Sequence, residues 1–221
     1  GGANAWAVAE HAIALMLALY KRLIPAHQAV HAGEWRKATN GFNTYEMAGK
    51  TVGIIGAGNI GRKVAYRLKA FETNILYYDA FPVPEIEEKL GARKVSLDEL
   101  VAQSDIITFH VPLIPATKHM INDEAFAKMK DGVMLVNVAR GGIIEEAALL
   151  RAFESGKVAG AALDVYEKEP PVDWAVPTHP KVIAVLHVGG QTEEAQLRVA
   201  GDIASEVMNV LQGNPLRWKI C

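Results

Sequence analysis

Three stretches late in the chain place charged side chains directly after apolar runs. Arg140 follows MLVNVA, Asp164 follows GAAL, and His187 follows VIAVL. An arginine offers a fixed fork of donors that suits a planar carboxylate, and a histidine titrates near neutral pH and can move a proton. Each alone could be structural. Together they predict a catalytic cleft, because open α/β sheets bind ligands at the carboxyl ends of their strands.

The loop beyond Asp164 carries two further carboxylates, Glu167 and Glu169. A carboxylate beside a histidine can assist proton transfer, whereas one in a polar loop is often only a solvated charge. The residue types alone leave the role of both side chains open.

The stretch TVGIIGAGNIGRKVAYRL contains the spacing GxGxxG, formed by Gly56, Gly58 and Gly61, between an apolar run and a helical pattern. In that context the first glycine permits a tight turn, the second lets the backbone approach a pyrophosphate, and the third lets helix pack on strand. The helix N-terminus then offers free N–H groups to the phosphates. The alternative is a glycine-rich turn without a ligand, which the flanking elements disfavour.

Asp79 ends the next apolar run, NILYYDAF, at the offset where an acidic side chain can accept hydrogen bonds from adenosine ribose hydroxyls. The same carboxylate would repel a 2'-phosphate, and the neighbouring Ala80 and Phe81 supply no cation. The sequence therefore predicts NAD as the cofactor in preference to NADP. A solvated aspartate in a turn before Pro82 is the alternative.

The composition narrows the class of protein. The 221 residues are 50% hydrophobic, enough for one large domain or two small ones. Lys+Arg number 23 against Asp+Glu 25, so no basic surplus favours nucleic acid as a partner. The single cysteine, Cys221, excludes an intrachain disulfide and a cysteine-rich metal site; we expect no metal and a cytoplasmic setting.

The most apolar stretch is AWAVAEHAIALMLALYKRL, Ala5 to Leu23. Glu10 and His11 interrupt it, which leaves too short a run for a membrane span, and its positive charges follow the apolar part, the reverse of a signal peptide. It predicts a long helix that ends near Pro25 or soon after it and is buried on more than one side.

The elements that must position these residues alternate between short apolar runs and helical stretches. We predict strands at Thr51–Ile55, Ile75–Tyr78, Ile106–Val111, Met134–Val138, Val158–Leu163 and Val182–Leu186. We predict helices at Asn59–Ala70, Pro84–Leu90, Ser96–Gln103, Asp123–Met129 and Glu145–Glu154, and a loop at Arg36–Lys50. Ser96 and Glu99 have capping-box spacing, and Gly156 stands where a helix stop is needed. The pattern is typical of an α/β fold with a doubly wound parallel sheet.

Several long motifs, in order, resemble those of the D-isomer-specific 2-hydroxyacid dehydrogenase family. They are NAWAVAEHAIALMLAL, GKTVGIIGAGNIGRKVA, HVPLIPAT, LVNVARGGIIEEAAL, GAALDVYEKEPP and HVGGQTEEAQLRVA, and they cover nearly the whole chain. The resemblance implies a Rossmann NAD-binding domain that passes a hydride between the nicotinamide and a 2-hydroxy or 2-keto acid. It also implies a homodimer, with the first helix taking part in the dimer contact.

The resemblance also assigns roles to residues. Arg140 would hold the substrate carboxylate, His187 would give or take the proton, and Glu169, rather than Glu167, would hydrogen-bond His187 and orient its ring. Cofactor contacts are implied for Gly56, Gly58, Asn59, Ile60, Gly61, Asp79, Val111, Pro112, Val138, Ala139, Arg140, Asp164, His187, Gly189 and Gly190.

Two positions depart from the family pattern. Leu186 stands where a proline is common before the histidine, and Glu72 stands where a glycine often ends the first helix after the glycine-rich turn. A glycine there would suit a left-handed stop, so Glu72 would be strained or would change the turn.

The resemblance implies that most of the family's substrate domain is absent from this chain. We therefore expect residues 1–35 to form an interdomain and dimerisation helix, 36–190 the NAD-binding domain, and 191–221 a crossover helix and tail. NAD binding with little turnover is the expected behaviour, because closure of two lobes positions substrate and excludes water. Two alternatives are an NAD-sensing module of the corepressor type and a formate dehydrogenase, which pairs its histidine with glutamine; Glu169 argues against the latter.

Overall fold

The central element of the computed structural model, which describes residues 2–35 and 43–216, is a seven-stranded sheet. Its strand order is β3-β2-β1-β4-β5-β6-β7, and every neighbouring pair is parallel. The strands are β1 Thr51–Ile55, β2 Asn74–Tyr78, β3 Arg93–Lys94, β4 Ile106–Phe109, β5 Val133–Asn137, β6 Val158–Leu163 and β7 Val182–Ala184. The order reverses between β1 and β4, and a crevice at such a point is where these sheets bind ligands.

Helices cover both faces of the sheet, which explains why its central strands are continuous apolar runs. They are α1 Ala5–Tyr20, α2 Leu23–His31, α3 Asn59–Ala70, α4 Pro84–Leu90, α5 Leu97–Gln103, α6 Asp123–Lys128, α7 Glu146–Glu154 and α8 Glu193–Leu211. One core cluster joins the sheet to α1, α3 and α4, and the other joins it to α5, α6 and α7. The predicted doubly wound α/β fold is confirmed.

The prediction for the first helix was wrong in its end point. Helix α1 ends at Tyr20, Arg22 takes a left-handed conformation with φ 48°, and α2 begins at Leu23. Pro25 therefore lies in the first turn of α2, where the N–H that a proline lacks would have had no helical partner. Ala9, Ala12 and Met16 are fully buried against the sheet layer, so α1 shares the core of the sheet.

Several predicted bounds shift in the structure. Strand β4 ends at Phe109, short of Val111, because its neighbour β1 ends opposite it at Ile55, where the glycine turn begins. Strand β7 ends at Ala184, short of Leu186, before His187 turns into the left-handed region with φ 57°. Strand β5 begins and ends one residue earlier than predicted, and the two-residue β3 was not predicted.

The predicted helix start at Ser96 and helix stop at Gly156 were correct, but the Glu99 side chain accepts from Arg93 and Gln103 instead of completing the capping box. Ser96 is the N-cap of α5 and accepts a hydrogen bond from Glu99 N at 3.2 Å, and Gly156 follows α7 with φ 75°. Glu72 after α3 adopts φ 58°, the strained left-handed conformation expected of a non-glycine residue there.

The structure tests part of the predicted loop before β1 and leaves the predicted domain boundaries untested. In the predicted loop, residues 36–42 lie outside the described residues, and 43–50 form neither helix nor strand. Of α8, only Ala195 is buried. The division at residues 35 and 190 stays a prediction. No helix among the described residues is long and apolar enough to cross a membrane.

Candidate active site

A cavity of about 400 Å³ opens at the carboxyl edge of the sheet. It brings together nine of the predicted site residues: Ile60, Val111, Pro112, Val138, Ala139, Arg140, Asp164, His187 and Gly190. These residues lie in the first turn of α3, which follows β1, and in the loops after β4, β5, β6 and β7, so the parallel topology brings them together. Residues that the sequence did not suggest also line it: Asn4, Val8, His110, Gln191, Gln196 and Val199.

The three glycines of the turn between β1 and α3 have different surroundings. Gly56 has φ 95°, and a Cβ there would lie 2.8 Å from the His110 backbone. A Cβ on Gly61 would lie 2.0 Å from the carbonyl oxygen of Gly56, so α3 can approach the turn only without a side chain. A Cβ on Gly58 would meet no other atom within 4 Å among the described residues, so this side of the turn is open to a ligand.

Asp79 lies at the end of β2 and faces this turn. Its Oδ2 accepts a hydrogen bond from Ala57 N at 2.7 Å, and its Oδ1 accepts one from Phe81 N at 3.2 Å. The carboxylate is thus fixed beside the glycine turn, and each oxygen keeps a further lone pair for a hydroxyl donor.

The two residues expected to transfer and support the proton are in direct contact. His187 Nδ1 lies 2.6 Å from Glu169 Oε2, and Glu169 Oε1 accepts a hydrogen bond from Tyr166 N at 3.1 Å. A charge-assisted bond of this length fixes the ring plane and leaves Nε2 as the other ring nitrogen for a ligand. Both side chains are partly exposed, at 48% and 36%, so a small molecule can reach them.

Arg140 lies after β5 at the exposed rim of the cavity. One terminal nitrogen donates to the carbonyl oxygen of Ala139 at 2.6 Å. The turn beneath it is held by the buried Asn137, whose Nδ2 donates to Arg140 O at 2.9 Å and whose Oδ1 accepts from Ala139 N at 3.1 Å. Arg140 therefore projects from a fixed backbone.

Asp164 is almost fully buried below His187. Its Oδ1 accepts a hydrogen bond from Val188 N and its Oδ2 one from Gly189 N, both at 2.8 Å. Burial alone would raise the pKa of this carboxyl, but the contacts with His11 and the two amides outweigh it and hold the pKa below its usual range. An ionised Asp164 thus ties the loop of His187 to β6.

Glu167 points to other partners than His187. Its Oε1 accepts a hydrogen bond from Glu146 N at 2.9 Å and lies 3.2 Å from His119 Nε2, while Glu167 N donates to Glu146 Oε1 at 2.8 Å. This exchange joins the loop of Glu169 to the start of α7. Of the two carboxylates in the loop, Glu169 is the one that contacts His187.

Three supporting residues were missed by the sequence argument. Asn137 could have been found as the one polar residue in an apolar strand. Tyr166 donates to the carbonyl oxygens of Leu163 and Val185 at 3.1 and 3.0 Å, and burial raises its pKa to about 12. Gly141 approaches the Tyr166 carbonyl so closely that a Cβ would lie 1.8 Å from its oxygen. No spacing rule signals those two contacts.

His110 is a further unpredicted residue in the cavity wall. Burial lowers its pKa to about 3, so the ring is neutral at physiological pH. Its Nε2 lies 3.0 Å from Thr108 Oγ1. It thus adds no charge to the cleft.

The site fits a dinucleotide. The start of α3 has no side chain capping its N–H groups, the space at Gly58 is open, and the Asp79 carboxylate is fixed next to both. Asn59 and Ile60 form the first turn of α3 and would face the pyrophosphate, and Val138 to Arg140 pass along the cavity wall. Gly189 lies behind the cavity, against Asp164 and His11.

Comparison with known proteins also indicates a dinucleotide-binding domain. The profile of the family described as D-isomer specific 2-hydroxyacid dehydrogenase, NAD binding domain, matches residues 13–189. A D-3-phosphoglycerate dehydrogenase of Archaeoglobus fulgidus is 47% identical over 98% of this chain and 41% of its own length. The Bacillus subtilis enzyme of the same name is 44% identical over 96% and 40%.

Solved structures agree with the sequences. A glyoxylate reductase from Paecilomyes thermophila superposes with a TM-score of 0.92 at 40% identity, over 100% of this chain and 66% of that one. A D-lactate dehydrogenase from Aquifex aeolicus, complexed with NAD and lactic acid, gives 0.89 at 34% identity, over 94% and 67%. The chain spans about two fifths of the length of the curated relatives it matches. It belongs to the D-isomer-specific 2-hydroxyacid dehydrogenase family and carries the NAD-binding domain of that family.

Proposed function

We propose that this chain is the cofactor-binding and proton-transferring part of an oxidoreductase of the phosphoglycerate dehydrogenase kind, which moves a hydride between NAD(H) and a D-2-hydroxy or 2-keto acid. The observation that carries the proposal is the 2.6 Å contact between Glu169 and His187, which lines the same cavity as Arg140. A base with a supporting carboxylate and a cation for a carboxylate substrate are the groups that such a reaction needs from the protein.

In the direction of reduction, the three side chains divide the work. Arg140 binds the substrate carboxylate through its guanidinium fork and polarises the carbonyl oxygen. His187, held through Nδ1 by Glu169, delivers the proton from Nε2 to the oxygen as negative charge develops there. Bound NADH supplies the hydride. In oxidation His187 takes the same proton back, and Glu169 stabilises the charged ring.

The preference for NAD over NADP follows from Asp79. Its carboxylate stands beside the glycine turn with Ala80 and Phe81 next in sequence, so a 2'-phosphate would meet a negative charge without a cation to offset it. We propose that ribose hydroxyls donate to this carboxylate.

Two alternatives carry less support. The relatives named above are dehydrogenases and a reductase, and they give the corepressor alternative no support. Formate dehydrogenases are also similar in structure, one from Granulicella with a TM-score of 0.92 at 33% identity. The glutamate that contacts His187 favours a 2-hydroxyacid substrate over formate.

The proposal includes where the protein is located and what it binds. The net charge of −2 and a single cysteine favour a cytoplasmic enzyme of small organic acids, without nucleic acid or membrane as partner. We propose a homodimer, with α1 near the contact, and a substrate domain supplied from outside residues 1–221.

Replacement of His187 tests the proposed reaction. We would fuse the chain to the substrate-binding segments of the Archaeoglobus fulgidus relative and assay phosphohydroxypyruvate, hydroxypyruvate, glyoxylate and pyruvate with NADH. His187→Ala should lower kcat by about 10²- to 10⁴-fold, because general acid catalysis is lost, while NADH still binds. His31→Ala, at an exposed histidine of α2, is the matched control.

Two outcomes would contradict the proposal: unchanged kcat in His187→Ala, or no activity of the fusion with any of the four acids. Robust turnover by the unfused 221-residue chain would contradict the expectation that a second lobe is needed.

A further inference from the structure

His11 of α1 is a partly buried histidine that the proposed mechanism does not use; its side chain is 21% exposed. Its Nε2 is shielded from solvent and has no hydrogen-bond partner among residues 2–35 and 43–216. The same nitrogen lies 3.7 Å from Asp164 Oδ1. A buried nitrogen without a partner costs free energy. We therefore ask what His11 does beside the Asp164 carboxylate.

The carboxylate that His11 faces is the one that fixes the catalytic loop. Both oxygens of Asp164 accept amides of the two residues after His187, and the side chain is 2% exposed. No lysine or arginine is among its partners in the described part of the chain. An ionised, buried carboxylate is stabilised when a cation or a donor lies close by, and His11 is the group placed to act so.

The glycines after His187 show how closely α1 approaches this loop. A Cβ on Gly189 would lie 3.1 Å from the His11 ring, and one on Gly190 would lie 3.0 Å from the side chain of Asn4. On the other side, Arg198 of α8 donates to the carbonyl oxygen of Ala3 at 2.7 Å. The residues at the start of α1 and Asp164 at the end of β6 therefore both contact the loop after His187, and α8 is joined to the start of α1.

We propose that His11 is a positioning residue, which keeps Asp164 charged and through it holds the backbone of residues 187–189 in the conformation that aims His187 into the cleft. The proposal rests on the proposed function only for the role of His187. The contacts of His11 and Asp164 belong to the chain itself.

NMR of the isotope-labelled 221-residue chain tests the proposal without turnover. In His11→Leu, which keeps a good helix former, the Asp164 carboxyl should titrate at higher pH than in the wild type. Tyr166, the titratable neighbour on the same loop, stays neutral over that range, and His187 faces the same cavity. Amide exchange at Val188 and Gly189 should become about tenfold faster, whereas exchange in β1 should be unchanged.

Two variants separate positioning from simple packing. His11→Gln places an amide donor near the position of Nε2 and should restore both readouts, and His27→Leu on the exposed face of α2 is the matched control. An unchanged Asp164 titration in His11→Leu would overturn the proposal, and so would uniformly faster exchange across the sheet. NADH binding by the wild-type chain reports separately on the proposed function, because it depends on the glycine turn and Asp79, which follow β1 and β2 and do not contact His11.

Discussion

At the scale of single residues, Gly58 and Gly61 lie three positions apart but meet opposite constraints. Gly58 is open on the side where a Cβ would point, whereas Gly61 touches the Gly56 carbonyl. We therefore predict that Gly58→Ala folds normally, within about 0.5 kcal/mol of the wild type, yet weakens NADH binding at least about tenfold. Gly61→Ala should lower the free energy of unfolding by about 3 kcal/mol.

Urea unfolding and fluorescence titration with NADH measure the two effects. Equal loss of stability in both variants would show that the turn is under one structural constraint rather than two. Unimpaired NADH binding by Gly58→Ala would contradict the proposal that the pyrophosphate of NADH lies against this turn.

At the scale of elements, the loop after β5 and the loop after β6 meet at Gly141. A Cβ on Gly141 would lie 1.8 Å from the Tyr166 carbonyl oxygen, whereas one on Gly142 would meet only the side chain of Leu113 at 3.4 Å. We predict that Gly141→Ala lowers the free energy of unfolding by about 3 kcal/mol, because backbone must move. The neighbouring Gly142→Ala should cost less than about 1 kcal/mol, because a leucine side chain can shift.

The same pair tests how the catalytic groups are held. Because Gly141 fixes the loop of Arg140 against the loop of Glu169, Gly141→Ala should also alter the NMR signals of His187, and Gly142→Ala should leave them unchanged. Thermal unfolding and ring-proton spectra are the measurements. Equal behaviour of the two alanine variants would contradict the close approach seen in the structure.

The sequence predicted elements better than it predicted contacts. Strands β1 and β6 match residue for residue, because short apolar runs between helical stretches leave little choice. The break between α1 and α2 at Arg22 and the end of β7 before His187 both depend on a non-glycine residue in the left-handed conformation. No sequence pattern predicts such residues. Asp79 and the glycines follow from spacing, but the His11 to Asp164 contact joins residues far apart in the chain, so only the folded structure shows it.

At the scale of the whole molecule, α8 presents an apolar face to solvent. Its exposed apolar side chains are between half and three quarters accessible: Leu197, Ile203, Val207, Met208, Val210 and Leu211. A stripe of this length on one helix favours association. We predict that the chain self-associates, and that Leu197→Glu with Ile203→Glu shifts it towards monomer.

Sedimentation velocity over a range of concentrations measures that change. The control is Gly201→Glu with Gln212→Glu, which adds the same charge to exposed positions of α8 and its C-cap without removing an apolar side chain. A wild-type chain that sediments as a uniform monomer would contradict the prediction, and so would an equal effect of both pairs.

The central claim is that the carboxyl edge of this sheet binds NAD through the glycine turn and Asp79. Calorimetric titration of the chain with NADH and with NADPH tests it most directly. We predict saturable binding of NADH, NADPH binding at least about tenfold weaker, and loss of that difference in Asp79→Ala, which no longer repels the 2'-phosphate. Absence of NADH binding, or equal affinity of the wild-type chain for both nucleotides, would contradict the account.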